Sequence, residues 1–168
     1  MTDRVVLVGA PGVGKTTIGR ALAAALDVEF CDVDDLIATM SGEACASLLR
    51  NQGEVAFRVA EASALAAALA DAAAGVVATG GGAVETASSR ALLADEPLVI
   101  QLTAPPEVLL ARLGDGDRPL LGAPSLERLN QLVEGRAVLY AEVADVSLDA
   151  SAPVDDVVAA IIAIAVPA

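Results

Sequence analysis

Gly9 to Thr17 reads GAPGVGKTT, and Lys15 within it is the only lysine in a chain of 168 residues. The GxxxxGK[ST] spacing follows an apolar run, VVLV, and precedes an amphipathic stretch, which is the strand-to-helix context of a phosphate-binding loop. Backbone N–H groups of Gly12, Val13, Gly14, Lys15, Thr16 and Thr17 can then turn toward the phosphates of a nucleotide, aided by the dipole of the following helix. Lys15 adds a compact, mobile positive charge where every other cation of the chain is an arginine. The Thr16 hydroxyl is suited to Mg2+.

Further along, CDVDD (Cys31 to Asp35) carries acids at the end of an apolar run. Asp32 is the expected support for Mg2+, acting through water, because magnesium keeps part of its hydration shell. Asp34 points the same way if the strand persists, and could accept a hydrogen bond from a substrate hydroxyl and orient it toward a γ-phosphate. The other reading of this pair of acids is a helix N-cap at Asp34 or Asp35. In FRVAE, Arg58 and Glu61 lie three residues apart, so Glu61 can fix the guanidinium, although most pairs at this spacing are solvated surface pairs. Gly80, Gly81 and Gly82 allow a ligand close to the backbone or, equally, form a tight turn.

These residues need a scaffold, and the rest of the pattern supplies one. Strand-like runs at 5–8, 28–33, 76–79, 98–102 and 145–149 alternate with helix-like stretches at 15–26, 34–39, 43–51, 54–73, 87–94, 106–113, 125–142 and 154–164. Such alternation implies an α/β fold, a parallel sheet covered by helices on both faces. Ligands bind beyond the carboxyl ends of such strands, where GAPGVGK, DVDD, GGGA and TAPP fall. GDGDRPLLGAPS (114–125) has no helical period and reads as a mobile lid or a plain surface loop.

Composition narrows the partners. A length of 168 residues suits one domain over 1–168, and a net charge of −13 opposes binding to nucleic acid or to anionic membranes. Two cysteines, Cys31 and Cys45, without CxxC spacing or any histidine, offer no zinc site and fit a reducing cytoplasm. The N-terminus lacks a signal-peptide pattern, and the apolar tail Val157 to Val166 is too short for a bilayer-spanning helix, so a soluble protein is expected. A guanine-reading NKxD motif would require a second lysine, which disfavours a GTPase switch. Motor and transport ATPases place an acid at the end of a second apolar strand, where this chain runs into GGG or TAPP.

Taken together, GAPGVGKT, DVD, FRVAE, GGGAV, RPLL and RAVLY, in this order and at these spacings, resemble the shikimate kinase family of small P-loop kinases related to nucleoside-monophosphate kinases. The resemblance extends from the phosphate loop at 9–17 to DVSLD. It implies a three-layer α/β/α fold with a five-stranded parallel sheet, a shikimate-binding segment at about 32–61 and a mobile lid at about 112–124. It also implies transfer of the ATP γ-phosphate, with Mg2+, to the 3-hydroxyl of shikimate in aromatic amino-acid biosynthesis; a monomer is expected.

By the same resemblance Asp34 would bind the reacting hydroxyls, while Arg58, Arg136 and the Gly80, Gly81 and Gly82 backbone would hold the acceptor. A planar guanidinium suits its carboxylate. Arg118 would enter with the lid to neutralise charge on the phosphates, and Arg112 would lie beside the adenine or the phosphates. Two positions depart from the family pattern: LDASAPV lacks arginines at 150–153 to flank adenine, and VLY (Val138 to Tyr140) stands where PLY is usual. Another small-molecule kinase, such as a gluconate kinase, would share the loop but not these acceptor contacts. A non-catalytic ATP-sensing module would have no need of Asp34.

Overall fold

The computed structural model describes residues 4–114 and 124–166. Its strands are β1 (Val5–Gly9), β2 (Glu29–Asp32), β3 (Ala74–Ala78), β4 (Val99–Thr103) and β5 (Val146–Asp149). All pairings are parallel, in the order β2-β3-β1-β4-β5. β1 is central: Val5 aligns with Val76 of β3, and Val6 with Val99 of β4. With neighbours on both sides, β1 is apolar without interruption and buried at all five residues.

Alternate residues of β1 feed two cores. Val5 and Leu7 pack with Leu22, Leu109 and Ile161, whereas Val6 and Val8 pack with Ile37, Leu65 and Tyr140. The first core lies under α1 (Lys15–Leu26), α5 (Pro106–Leu113) and α7 (Val154–Ala165), and the second under α2 (Val33–Ser41), α3 (Cys45–Ala70) and α4 (Ala87–Ala94). α6 (Leu126–Val143) contributes Leu129 to the first core and Tyr140 and Val143 to the second. The three-layer α/β/α arrangement expected from the alternating pattern is thus present. Among the described residues no helix is long and apolar enough to cross a membrane.

Several boundaries shift by a few residues from the sequence expectation, and two of the differences bear on the site. The strand expected at 28–33 ends at Asp32, and Val33 already opens α2, so Asp34 is a helical residue rather than the outward-facing partner of Asp32 on a strand. The cap is also neither Asp34 nor Asp35: the Asp32 carboxylate accepts a 3.0 Å hydrogen bond from the Asp34 N–H. The stretches expected at 43–51 and 54–73 form one element, α3, kinked at Gly53 (φ 83°, ψ 173°) and ending at Ala70, and β3 starts at Ala74 rather than at 76. The expected lid at 112–124, with Arg118, lies for the most part outside the described residues.

Candidate active site

The carboxyl ends of β1, β2 and β3 open on one cavity of about 690 Å3. One wall is the loop from β1 to α1. Gly14, at φ 105°, caps α1 in a left-handed conformation that a side chain would strain, and this turns the first N–H groups of the helix toward the cavity. Lys15 is only 8 % exposed, and its Nζ donates to the carbonyls of Gly9 (2.7 Å) and Ala10 (3.1 Å). Thr16 Oγ1 donates to Asp32 Oδ2 at 2.7 Å. The Thr16 proton is thereby committed to Asp32, which leaves the hydroxyl lone pairs for a cation. Among the described residues no cluster of three or more His, Cys, Asp or Glu could hold a metal by itself. A hydroxyl beside nucleotide phosphates and water is the donor set that Mg2+ accepts.

The opposite wall comes from α2, α3, β3 and α6. β3 runs into Thr79, whose N–H and hydroxyl both donate to Leu7 O at 3.1 Å, so that Gly80 starts from a fixed point beside the phosphate loop. A Cβ on Gly80 would stand 2.5 Å from Glu61 Oε1 and 3.0 Å from Asp34 Oδ1, so the missing side chain is what lets two carboxylates flank this backbone. A Cβ on Gly81 would stand 2.8 Å from Pro11 Cδ, so the triple glycine touches the phosphate loop itself. GGG thus enters a turn that packs against the phosphate loop and two carboxylates.

Arg58 and Arg136 face the cavity from different helices. Arg58 Nη1 donates to Glu61 Oε2 at 2.7 Å, and Nη2 reaches Glu54 Oε1 at 3.4 Å and a carboxylate oxygen of Glu85. Arg136 Nη1 donates to Gly81 O at 2.9 Å, and Nη2 pairs with Glu85 Oε1 at 3.0 Å. Burial works against the charge of Arg58, yet the hydrogen bond and charge of Glu61 prevail and leave its pKa raised. Burial likewise pushes the Glu61 carboxyl above its ordinary value, against the pull of Arg58. With 2 % of its surface exposed, Glu61 is no solvated surface partner.

The structure therefore brings together Gly12, Val13, Gly14, Lys15, Thr16, Thr17, Asp34, Arg58, Gly80, Gly81, Gly82, Arg112 and Arg136, all of which line the cavity. Asp32 stands behind Thr16 instead of on the wall. Arg112 donates to Val13 O (3.0 Å) and Ala150 O (2.8 Å), tying the phosphate loop to the turn after β5, where arginines are lacking.

The sequence model described as Shikimate kinase matches residues 11–165. The chain belongs to the shikimate kinase family. It is 39 % identical over 167 residues to shikimate kinase 2 of Sodalis glossinidius, covering 96 % of this chain and 95 % of that one. To the shikimate kinase of Frankia casuarinae it is 45 % identical over 162 residues, covering 96 % of this chain and 71 % of that one. Among solved structures, shikimate kinase from Acinetobacter baumannii in complex with shikimate superposes with a TM-score of 0.90 at 35 % identity, over 96 % of this chain and 91 % of that one. The Aquifex aeolicus shikimate kinase gives 0.81 at 29 % identity, over 95 % and 94 %.

Three residues beside this shikimate kinase cavity were not legible as site residues. Glu85, on the short 3-10 turn Ala83–Glu85, contacts both cavity arginines. The hydroxyl of Tyr140, its pKa pushed up to about 12 by burial, donates to Gly81 O at 2.8 Å. Cys45 lines the cavity with its thiol directed at Asp34 O (3.4 Å), its pKa pushed up to about 11 mainly by burial. A three-residue turn has no period to read. The tyrosine was visible only as part of VLY.

Proposed function

We propose that the protein transfers the γ-phosphate of ATP to the 3-hydroxyl of shikimate, giving shikimate 3-phosphate and ADP. The observation that carries this reading is one cavity in which the phosphate loop faces Asp34, Arg58, Arg136 and the triple glycine. The backbone N–H groups from Gly12 to Thr17 and the Lys15 ammonium hold the nucleotide's phosphates, with Lys15 leaving its loop carbonyls for them. Arg58 and Arg136 take the acceptor's carboxylate, and Asp34 takes its reacting hydroxyl.

Transfer forms a bond between the acceptor oxygen and the γ-phosphorus and breaks the bond from that phosphorus to the β,γ-bridging oxygen, which leaves with its electron pair on ADP. Asp34 accepts the hydroxyl proton as the new bond forms. Alignment of the two reactants and neutralisation of the phosphates account for most of the rate. Thr16 Oγ1, with Asp32 behind it, would hold Mg2+, which would supply positive charge against the nucleotide's phosphates. Arg118, outside the described residues, is assigned the remaining phosphate charge, and Arg112 the nucleotide side. Two free thiols support a reducing cytoplasm.

The test is ADP release by purified protein with Mg2+ and ATP in the presence of shikimate, gluconate, AMP or no acceptor. Shikimate-dependent ADP with a phosphorylated shikimate product is the expected result. Release only with gluconate or AMP would overturn the acceptor. ATP binding without turnover of any acceptor would favour a sensing module.

A further inference from the structure

Glu85 is joined to both arginines that face the acceptor side of the cavity, yet it is not itself part of the cavity wall. Its two carboxylate oxygens are divided between them, Oε2 on Arg58 Nη2 and Oε1 on Arg136 Nη2. Arg58 comes from α3 and Arg136 from α6, and these side chains are 12 % and 13 % exposed. Glu61 and Glu54 of α3 hold Arg58, and Gly81 O holds Arg136, but each of these contacts reaches one guanidinium; the Glu85 carboxylate reaches both.

The base from which Glu85 acts is anchored. Its N–H donates to Gly82 O at 2.9 Å, and its own carbonyl accepts from Arg90 Nη1 at 3.2 Å. The residue thus hangs from the triple glycine by one turn and braces the arginines from outside. Each guanidinium has five N–H donors, and after Glu85, Glu61 and Glu54 on Arg58 and Glu85 and Gly81 O on Arg136, N–H donors remain on each for a planar acceptor in the cavity.

We infer that Glu85 is a positioning residue that sets the spacing of Arg58 and Arg136 and thereby the discrimination of a carboxylate-bearing acceptor from an uncharged one. The inference rests on the proposed acceptor chemistry. Because Glu85 lies off the cavity wall, its loss is expected to weaken acceptor binding and spare the chemical step. Charge alone would argue the other way, because a third carboxylate beside Glu54 and Glu61 reduces the attraction of the two arginines for an anion. The experiment separates these effects by their sign.

Glu85→Ala and Glu85→Gln are compared with the unsubstituted protein for shikimate and shikimate methyl ester, by steady-state kinetics and by calorimetric binding. The expected result for Glu85→Ala is a KM and Kd for shikimate about 3- to 10-fold higher, as for loss of a partner from a partly exposed charge pair. Its kcat stays within about twofold, the KM for ATP is unchanged, and the acid-to-ester preference falls. Glu85→Gln, which keeps the length and one acceptor oxygen, lies between. Tighter shikimate binding in either variant, unchanged binding, or equal loss for acid and ester would overturn the inference. Should Glu85→Ala fail to fold, Glu85→Gln carries the same comparison alone. Absence of shikimate turnover by the unsubstituted protein would overturn the proposed activity instead.

Discussion

A carboxylate accelerates attack by a hydroxyl when it can take the proton as the new bond forms, and Asp34 is the cavity-lining carboxylate carried by the first turn of α2. Asp34→Asn keeps the size and removes that capacity, so kcat is expected to fall about 10^2- to 10^4-fold with little change in the KM for ATP. Arg58→Ala is expected to raise the KM for shikimate about 10- to 100-fold, the worth of one hydrogen bond to a charged group. The thiols supply a pH test. Burial raises the pKa of Cys31 and pushes that of Cys45 to about 11, so both remain protonated at neutral pH. Alkylation by iodoacetamide should be slow at pH 7 and, at Cys45, rise about tenfold per pH unit until the pH nears that value, as followed by mass spectrometry. At this scale the phosphate loop was legible because glycine spacing and one lysine carry the chemistry themselves. Glu85 was not, because its meaning lies in two arginines from helices distant in sequence.

Elements bring those residues within reach, and they were legible to differing degrees. α1 at 15–26, α4 at 87–94 and α5 at 106–113 start and stop where their caps and apolar spacing indicate. β2 does not, because Asp32 is both the last strand residue and the helix cap, a double duty that alternation of apolar residues cannot reveal. The kink at Gly53 joins what read as two helices, since glycine marks a change of direction without saying whether the chain resumes the same structure. The contact between Gly81 and Pro11 couples the two walls of the cavity. Gly81→Ala would place a methyl 2.8 Å from the proline ring and 3.1 Å from its nitrogen, and is expected to cost about 1–3 kcal/mol of stability while weakening both substrates. Chemical denaturation and paired KM measurements would check this; loss of one substrate alone would show that the walls move independently.

At the scale of the molecule, the central position of β1 means that its loop lies between the halves of the sheet contributed by β3 and β4. In the proposed reaction nucleotide and acceptor meet in one cavity, and transfer avoids water only when both are present. ATP hydrolysis without acceptor is therefore expected to be a small fraction of turnover with shikimate, and EDTA in excess over Mg2+ is expected to abolish turnover while leaving the fold intact by circular dichroism. Substantial acceptor-independent ADP release would contradict the first. Residual turnover in EDTA would contradict the second. The solitary lysine has a consequence for handling the protein: acylation, reductive methylation and amine coupling to a sensor surface have a single side-chain amine to find, Lys15, held against the Gly9 and Ala10 carbonyls. Reagents that on most proteins give a scatter of surface adducts would here modify one side chain besides the α-amino group, and a peptide map tells the two apart. The mass of that adduct becomes a footprint of the nucleotide, and immobilisation through side-chain amines would tether the chain by its own phosphate loop.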